Sequence, residues 1–274
     1  MDNKDKQFYG WWAIILGGSS GFGLATIEKL VRHGMNIAVL YRETAAGERL
    51  LKEKVLNLAN SSGMTILPFN INALDGAGRS LFIQEFTDAV GKKHCVRLLL
   101  HSIARGNLKP LVVLQDGGPK DNNETLSIED IQLTTYAMAT SLLDWARLLL
   151  KEQLFHQDAR IVGLTSEGSY KFWEGYAAVS IAKASLESLT NYMAIELGKY
   201  GLRTNLIQAG ITETPSLKKI PLSKKLIEMS VKRNPLGRMT KTDDVANVIY
   251  LLCTEEASWI NGAVIHVDGG EHGL

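Results

Sequence analysis

The chain has 274 residues, 45% of them hydrophobic and 22% charged, which is enough for one large α/β domain with a sizeable core. Its 30 basic and 29 acidic side chains leave a formal charge of +1, so no partner chosen by bulk charge, nucleic acid included, is implied. Two cysteines, Cys95 and Cys253, form neither a disulfide framework nor a metal spacing and suit a reducing compartment.

From the N-terminus, the apolar run at 11–16 is too short for the core of a signal peptide and flows into a glycine loop. No stretch approaches the ~20 apolar residues of a membrane span. A cytoplasmic protein is expected. Short apolar runs then predict strands at 12–16, 36–41, 65–70, 96–101, 159–165, 203–208 and 263–267. Helical patterns fall between them at 23–33, 45–60, 76–90, 128–153, 177–200 and 242–253. Strand–helix alternation over the whole length predicts one doubly wound parallel sheet with helices on both faces, a Rossmann-type α/β domain over 1–274. Residues 116–124 read as an exposed loop. Residues 211–229 break the alternation and are a candidate substrate lid.

The first strand is followed by Gly17, Gly18, Ser19, Ser20, Gly21, Phe22 and Gly23 at the start of a helix. Glycines at 17, 21 and 23 allow a tight turn and close approach of the backbone to a pyrophosphate, and the helix N-terminus offers unpaired N–H groups. The motif alone is weak, but a strand before it and a helix after it are its confirming context. The competing reading is an ordinary strand–helix turn. The second strand ends at Tyr41, Arg42 and Glu43. An acid at that place bonds both ribose hydroxyls of NADH, whereas the Arg42 guanidinium could pair with a 2′-phosphate, which favours NADPH. Glu43 beside it weakens the inference, and a solvated helix-start cation is the plainer reading of Arg42.

Tyr176 and Lys183 lie seven residues apart at the start of a helical stretch. At ~100° per residue, both would face one way if the helix runs through Tyr176. A lysine can lower a nearby phenol's pKa and hold a ribose hydroxyl, setting a proton donor beside a hydride donor. Ser166, at the end of the fifth strand, could bond a substrate oxygen. Taken alone, such pairs are more often surface packing; the glycine loop upstream gives this one weight.

With these pieces in hand, the chain resembles the short-chain dehydrogenase/reductases. The resemblance rests on the glycine loop, on His101, Ser102, Ile103 and Ala104 at a strand end, on Ser166, Tyr176 and Lys183, on 205–210, and on Val267, Asp268, Gly269 and Gly270. Within that family it is most similar to the enoyl-acyl-carrier-protein reductases. The tyrosine position four before the lysine in most of the family is Val179 here, and Tyr176 has the enoyl reductases' spacing. Met138 stands where carbonyl reducers keep a relay asparagine. Ser166, in contrast, occupies a position where most enoyl reductases carry a second tyrosine, and the glycine loop is of the ordinary type. That mixture matches an NADPH-using minority of the branch and leaves carbonyl and dienoyl reductases open.

The resemblance implies further contacts. Tyr176 would stabilise an enolate, and Lys183 would hold the nicotinamide ribose. Asn70 and Ile71 would flank the adenine, and Ser102, Ile103 and Ala104 would line the nicotinamide. Thr212 and Thr214, after Gly210, would meet the carboxamide and pyrophosphate. Ile211 replaces the branch's usual proline. The implied substrate is an acyl thioester, with acyl-carrier protein as a possible partner. Lys218, Lys219, Lys224 and Lys225 could face such an acidic carrier, or form a solvated helix face. The segment 262–270 resembles an element that packs between subunits, so a homotetramer is expected. The six histidines show no metal-ligand spacing, with His101 read as a packed, hydrogen-bonded residue, and the five tryptophans read as packing. Two other readings compete: a carbonyl reductase, and a cofactor-binding sensor without catalysis.

Overall fold

The first strand, β1 (Trp12–Leu16), is buried along its whole length. Its side chains alternate between two cores, with Trp12, Ile14 and Leu16 in one and Ala13 and Ile15 in the other. Burial on both faces demands helices on both faces, and that is the architecture of the computed structural model. It describes residues 6–115, 118–119, 124–220 and 223–273, leaving aside the side chains of 114, 115, 118, 119, 219 and 223–225.

In chain order follow α1 (Gly21–Arg32), β2 (Asn36–Tyr41), α2 (Ala45–Ser62), β3 (Ile66–Asn70), α3 (Gly76–Val90) and β4 (Val96–His101). Next come α4 (Ile128–Thr135), α5 (Ser141–Lys151), β5 (Phe155–Thr165), α6 (Ala177–Gly198), β6 (Leu202–Ala209), α7 (Ser223–Arg233), α8 (Thr242–Cys253) and β7 (Val264–Val267). The sheet order is β3-β2-β1-β4-β5-β6-β7, every pairing parallel. The order reverses direction between β1 and β4, and an open α/β sheet binds ligands at such a switch point, outside the carboxyl ends of its strands. The chain emerges there as Gly17, Arg42, Ile71, Ser102, Ser166 and Gly210.

Local chemistry sets the helix ends. Thr44 and Asp75 accept the backbone N–H groups of Gly47 and Gly78 at the starts of α2 and α3, and the left-handed Gly63 and Gly91 close them. Ser127 and Asp130 form a reciprocal capping box on α4. All seven expected strands and all six expected helical stretches form, with boundaries shifted by up to four residues. Two places differ. The stretch expected as a single helix over 128–153 is interrupted by a π-turn at Tyr136–Thr140. The segment 211–229 is less irregular than its sequence implies, with a short 3-10 turn at Leu217–Lys219 and then α7. Among the described residues no helix is long and apolar enough to cross a membrane. The candidate loop 116–124 lies almost wholly outside them.

Candidate active site

The strand ends open onto a cleft of about 490 Å³. Its phosphate end is the glycine loop, where Gly17, Ser19, Ser20, Gly21 and Phe22 line the wall. Gly17 has φ +85°, and a Cβ on it would lie 2.5 Å from the carbonyl oxygen of Ser102. Only glycine fits that close approach to the end of β4. Ser20 precedes α1 in an extended conformation, and its side chain makes no capping bond. The first N–H groups of α1 are therefore not satisfied by a side-chain cap, and a helix N-terminus left this way favours an anion such as a pyrophosphate. Gly23 does not line the cleft. It packs beneath the loop, where a Cβ would meet the Gly17 carbonyl oxygen at 2.4 Å.

At the end of β2, Arg42 and Glu43 both line the cleft and are exposed. No ion pair engages Arg42 among the described residues. Ile71 forms part of the wall as expected, whereas Asn70 does not. The Asn70 amide instead donates to the Glu43 carbonyl oxygen at 3.1 Å and to Glu48 Oε2 at 2.8 Å, and its oxygen accepts from the Glu43 N–H. Pairing of β2 with β3 turns this side chain toward the start of α2, and Asn72 takes its place along the wall. On the far side stand Ser102, Ile103 and Ala104, then Met138, carried into the cleft by the π-turn.

Lys183 lies on α6 at the cleft floor, 8% exposed. Its Nζ donates to the carbonyl oxygen of Leu164 at 2.6 Å. Burial, opposed only by Glu187, pushes the ammonium down to about 8. Tyr176 is not inside the helix. It is the residue before it, with φ −99° and ψ 4°, so the shared-face argument for the pair does not carry their placement; both nevertheless border the same cleft. Burial pushes the Tyr176 phenol above its ordinary 10, with a hydrogen bond from Ser166 working the other way. Lys183 is not among the causes, which corrects the expectation of a lysine-lowered phenol. Gly168 lets the tyrosine lie against this turn: a Cβ there would be 2.6 Å from Tyr176 Cε1 and 3.2 Å from Ser166 Oγ.

Tyr176 stands at the junction of the cleft with a second cavity of about 170 Å³. That cavity is walled by Phe22, Trp173, Ile211, Leu217, Ile220 and Leu226, with Ser166, Glu167 and Gly168 at its base. Gly210 and Thr212 line this apolar cavity and not the larger cleft, while Thr214 borders both. Ser166 also belongs to the cavity side, its hydroxyl accepting the Gly168 N–H at 3.2 Å. Trp173 was legible only as packing; nothing in its sequence neighbourhood marks a pocket wall. Lys218 is exposed and paired with Glu213 at 3.4 Å. The side chains of Lys219, Leu222, Lys224 and Lys225 lie outside the described residues.

His101 is buried, its Nε2 2.8 Å from Ser141 Oγ, and burial pushes its imidazole down to about 3. It is neutral, packed and hydrogen-bonded, the reading preferred for it from the sequence despite its place at a strand end. The other histidines hold one surprise. His266, Asp268 and His272, unremarkable by spacing, come together with ligand atoms within 4.8 Å of one another. The Asp268 carboxylate is already taken by the N–H groups of Gly270 and His272 and by His272 Nδ1. The two imidazoles stack face to face at 3.8 Å, so their lone pairs do not converge.

Comparison with known proteins gives the family. Residues 17–272 match the family described as enoyl-(acyl carrier protein) reductase. The chain belongs to that family. It is thus an oxidoreductase of the short-chain dehydrogenase/reductase type. A probable 2,4-dienoyl-CoA reductase of Bacillus subtilis is 29% identical over 94% of this chain and 95% of its own length. The NADH-dependent enoyl-acyl-carrier-protein reductase of Aquifex aeolicus is 37% identical over 42% of this chain and 43% of its own. A crystal structure of the Aquifex aeolicus enzyme superposes with a TM-score of 0.80 at 25% identity, covering 98% of each chain.

Proposed function

We propose that this reductase reduces the carbon–carbon double bond of an enoyl thioester, with NADPH as the preferred nucleotide. The observation that carries the reading is the position of Tyr176 between a nucleotide-sized cleft and an apolar cavity. A bound nicotinamide would supply hydride to the β-carbon. Tyr176, kept protonated by burial, would donate its hydrogen bond to the thioester oxygen as charge develops there and then its proton. The resulting enol would tautomerise, gaining a solvent proton at the α-carbon and returning the oxygen's proton. Lys183 would hold the nucleotide's ribose from the cleft floor, and Ser166 would orient the phenol. Arg42, paired with no carboxylate among the described residues, would face the 2′-phosphate. The apolar cavity would take the acyl chain, and the segment over 211–229 would act as its lid.

A carbonyl or dienoyl thioester reductase is the second reading. It is favoured by Ser166, which stands hydrogen-bonded to Tyr176 where a carbonyl oxygen could be held, and by the relative named as a dienoyl-CoA reductase. Assembly as a homotetramer is also part of the proposal. Among the described residues the β7 edge strand has one unpaired side; its Val264 is exposed, and Trp259 nearby is 95% exposed. Oxidation of NADPH at 340 nm with crotonyl-coenzyme A and, separately, acetoacetyl-coenzyme A tests the reading, with acyl-carrier-protein thioesters and NADH as parallel arms. Turnover of the enoyl substrate alone supports conjugate reduction. Turnover of the ketone alone moves the enzyme to carbonyl reduction.

A further inference from the structure

Three walls of the apolar cavity come from parts of the chain far apart in sequence. The turn after β5 carries Ser166 and Glu167, the turn after β6 carries Gly210 and Ile211, and α7 brings Leu226. One side chain, Arg233 at the last residue of α7, touches a carboxylate tied to each of the other two walls. Its Nη2 donates to Glu167 Oε1, and its Nε donates to Glu271 Oε1 at 2.9 Å. Glu271 in turn accepts the Ile211 N–H on Oε2 at 3.3 Å. The side chain of Glu271 is only 2% exposed and that of Glu167 only 11%.

This placement has a physical consequence. Two carboxylates drawn into a nearly water-free space repel each other unless a cation stands between them. Lys171 reaches Glu167 at 3.1 Å, but no other cation reaches Glu271 among the described residues. A guanidinium can serve both at once because its donors form a rigid planar fork; an ammonium is a point charge and serves two less well. The position at the C-terminal end of α7 also suits a cation, through the helix dipole.

We propose that Arg233 is a positioning residue: it locks the lid helix to the Ser166 turn and, through Glu271, to the Ile211 turn, and so sets the affinity of the cavity for its apolar substrate. The inference rests on the enoyl-thioester reading for its substrate but not for the lock itself. Neither carboxylate touches the nucleotide cleft, so nucleotide binding is separable from it.

The test compares Arg233→Gln, Arg233→Lys and Glu271→Gln with Lys232→Gln, an exposed neighbour, as control. Kinetics with crotonyl-coenzyme A, NADPH affinity and hydrogen exchange over 211–220 and 226–233 are read on each. We expect R233Q to raise KM about tenfold with kcat and NADPH affinity within about twofold, faster exchange in both segments, and partial rescue by R233K. R233Q indistinguishable from K232Q would overturn the lock, and so would a parallel fall in kcat, NADPH affinity and thermal stability. Should R233Q fail to fold, R233K decides by the same KM criterion, and an unchanged KM and exchange reject the proposal. A wild-type enzyme that does not turn over the enoyl substrate rejects that reading alone, because hydrogen exchange still reads the lock.

Discussion

Lys183 spends its ammonium on a main-chain carbonyl, that of Leu164, 2.6 Å away. A buried charge with so little compensation is costly to the fold, and its pKa shows it: burial brings it down from 10.5 to about 8. Between those two values the unfolded chain binds the proton more tightly than the folded one. Stability therefore rises with pH across that window, and below pH 8 the full cost is present. The cost is on the order of 3 kcal/mol. Lys183→Met should raise the stability of the free protein at pH 7 by about 1–3 kcal/mol while reductase activity falls at least about 100-fold. Urea denaturation at pH 7 and pH 10 checks this, with the gain shrinking at the higher pH. A variant less stable than wild type at pH 7 would mean that the Leu164 bond outweighs the desolvation.

Tyr176 carries the opposite perturbation. Burial holds its phenol above 10 despite the Ser166 hydrogen bond, so it keeps its proton across the neutral range. Tyr176→Phe should lower kcat about 100- to 1000-fold, the range for loss of a donor to a developing oxyanion, and leave NADPH affinity within about twofold. Stopped-flow single-turnover kinetics separate the two. The pH profile adds an independent check: a tyrosine acid predicts a plateau through pH 9, whereas a limb near pH 8 would assign the controlling proton to Lys183.

Arg42 is exposed at the end of β2 and lines the cleft with Glu43 as its neighbour. A charge-assisted bond to a 2′-phosphate is worth about 1.5–3 kcal/mol, roughly ten- to a hundredfold in affinity. Arg42→Ala should raise KM for NADPH by that factor and leave KM for NADH within about twofold. Equal effects on the two nucleotides would remove Arg42 from phosphate recognition.

The sequence made the sheet legible because its strands are short apolar runs bounded by glycine and helix signals, and burial on both faces leaves little else for such runs to do. The places of Gly17, Ser19, Ser20, Gly21 and Phe22 and of Ser102, Ile103 and Ala104 along the cleft followed, since they depend on backbone position. Side-chain direction was harder to foresee. Asn70 points toward the start of α2 because the preceding strand register turns it there, and no local pattern encodes that rotation. Tyr176 lies before α6 and not within it, so its relation to Lys183 is set by the Ser166–Gly168 turn, which crosses more than its own neighbourhood. Trp173 and Arg233 acquire their roles only when β5, β6 and α7 converge. The π-turn around Met138 continues a helical pattern without a proline or glycine to announce it.

At the opposite end of the strands, Asp158 holds two buried guanidiniums. Arg97 Nη1 approaches its Oδ2 at 2.6 Å and Arg160 Nη1 its Oδ1 at 2.5 Å, with the two arginines 1% and 0% exposed. The same arginines donate to the carbonyls of Leu252, Cys253 and Thr254, so they cap the C-terminal end of α8. Burial alone would raise the Asp158 pKa, but Arg160 and Arg97 outweigh it and hold the carboxyl down to about 2, from 3.8. A carboxylate whose folded pKa is depressed contributes its full stability above its unfolded value and loses it as pH falls toward the folded one. About 2 kcal/mol should therefore disappear between pH 4 and pH 2. Asp158→Asn removes the anion and leaves the two cations facing each other, so it should cost about 3 kcal/mol at pH 7. Denaturation at pH 7 and pH 3 reads both effects: the wild type should lose more stability than D158N on acidification, because the variant has already lost the titrating group. Equal losses in the two proteins would place the acid-labile contact elsewhere, with the arginines held by the α8 carbonyls alone.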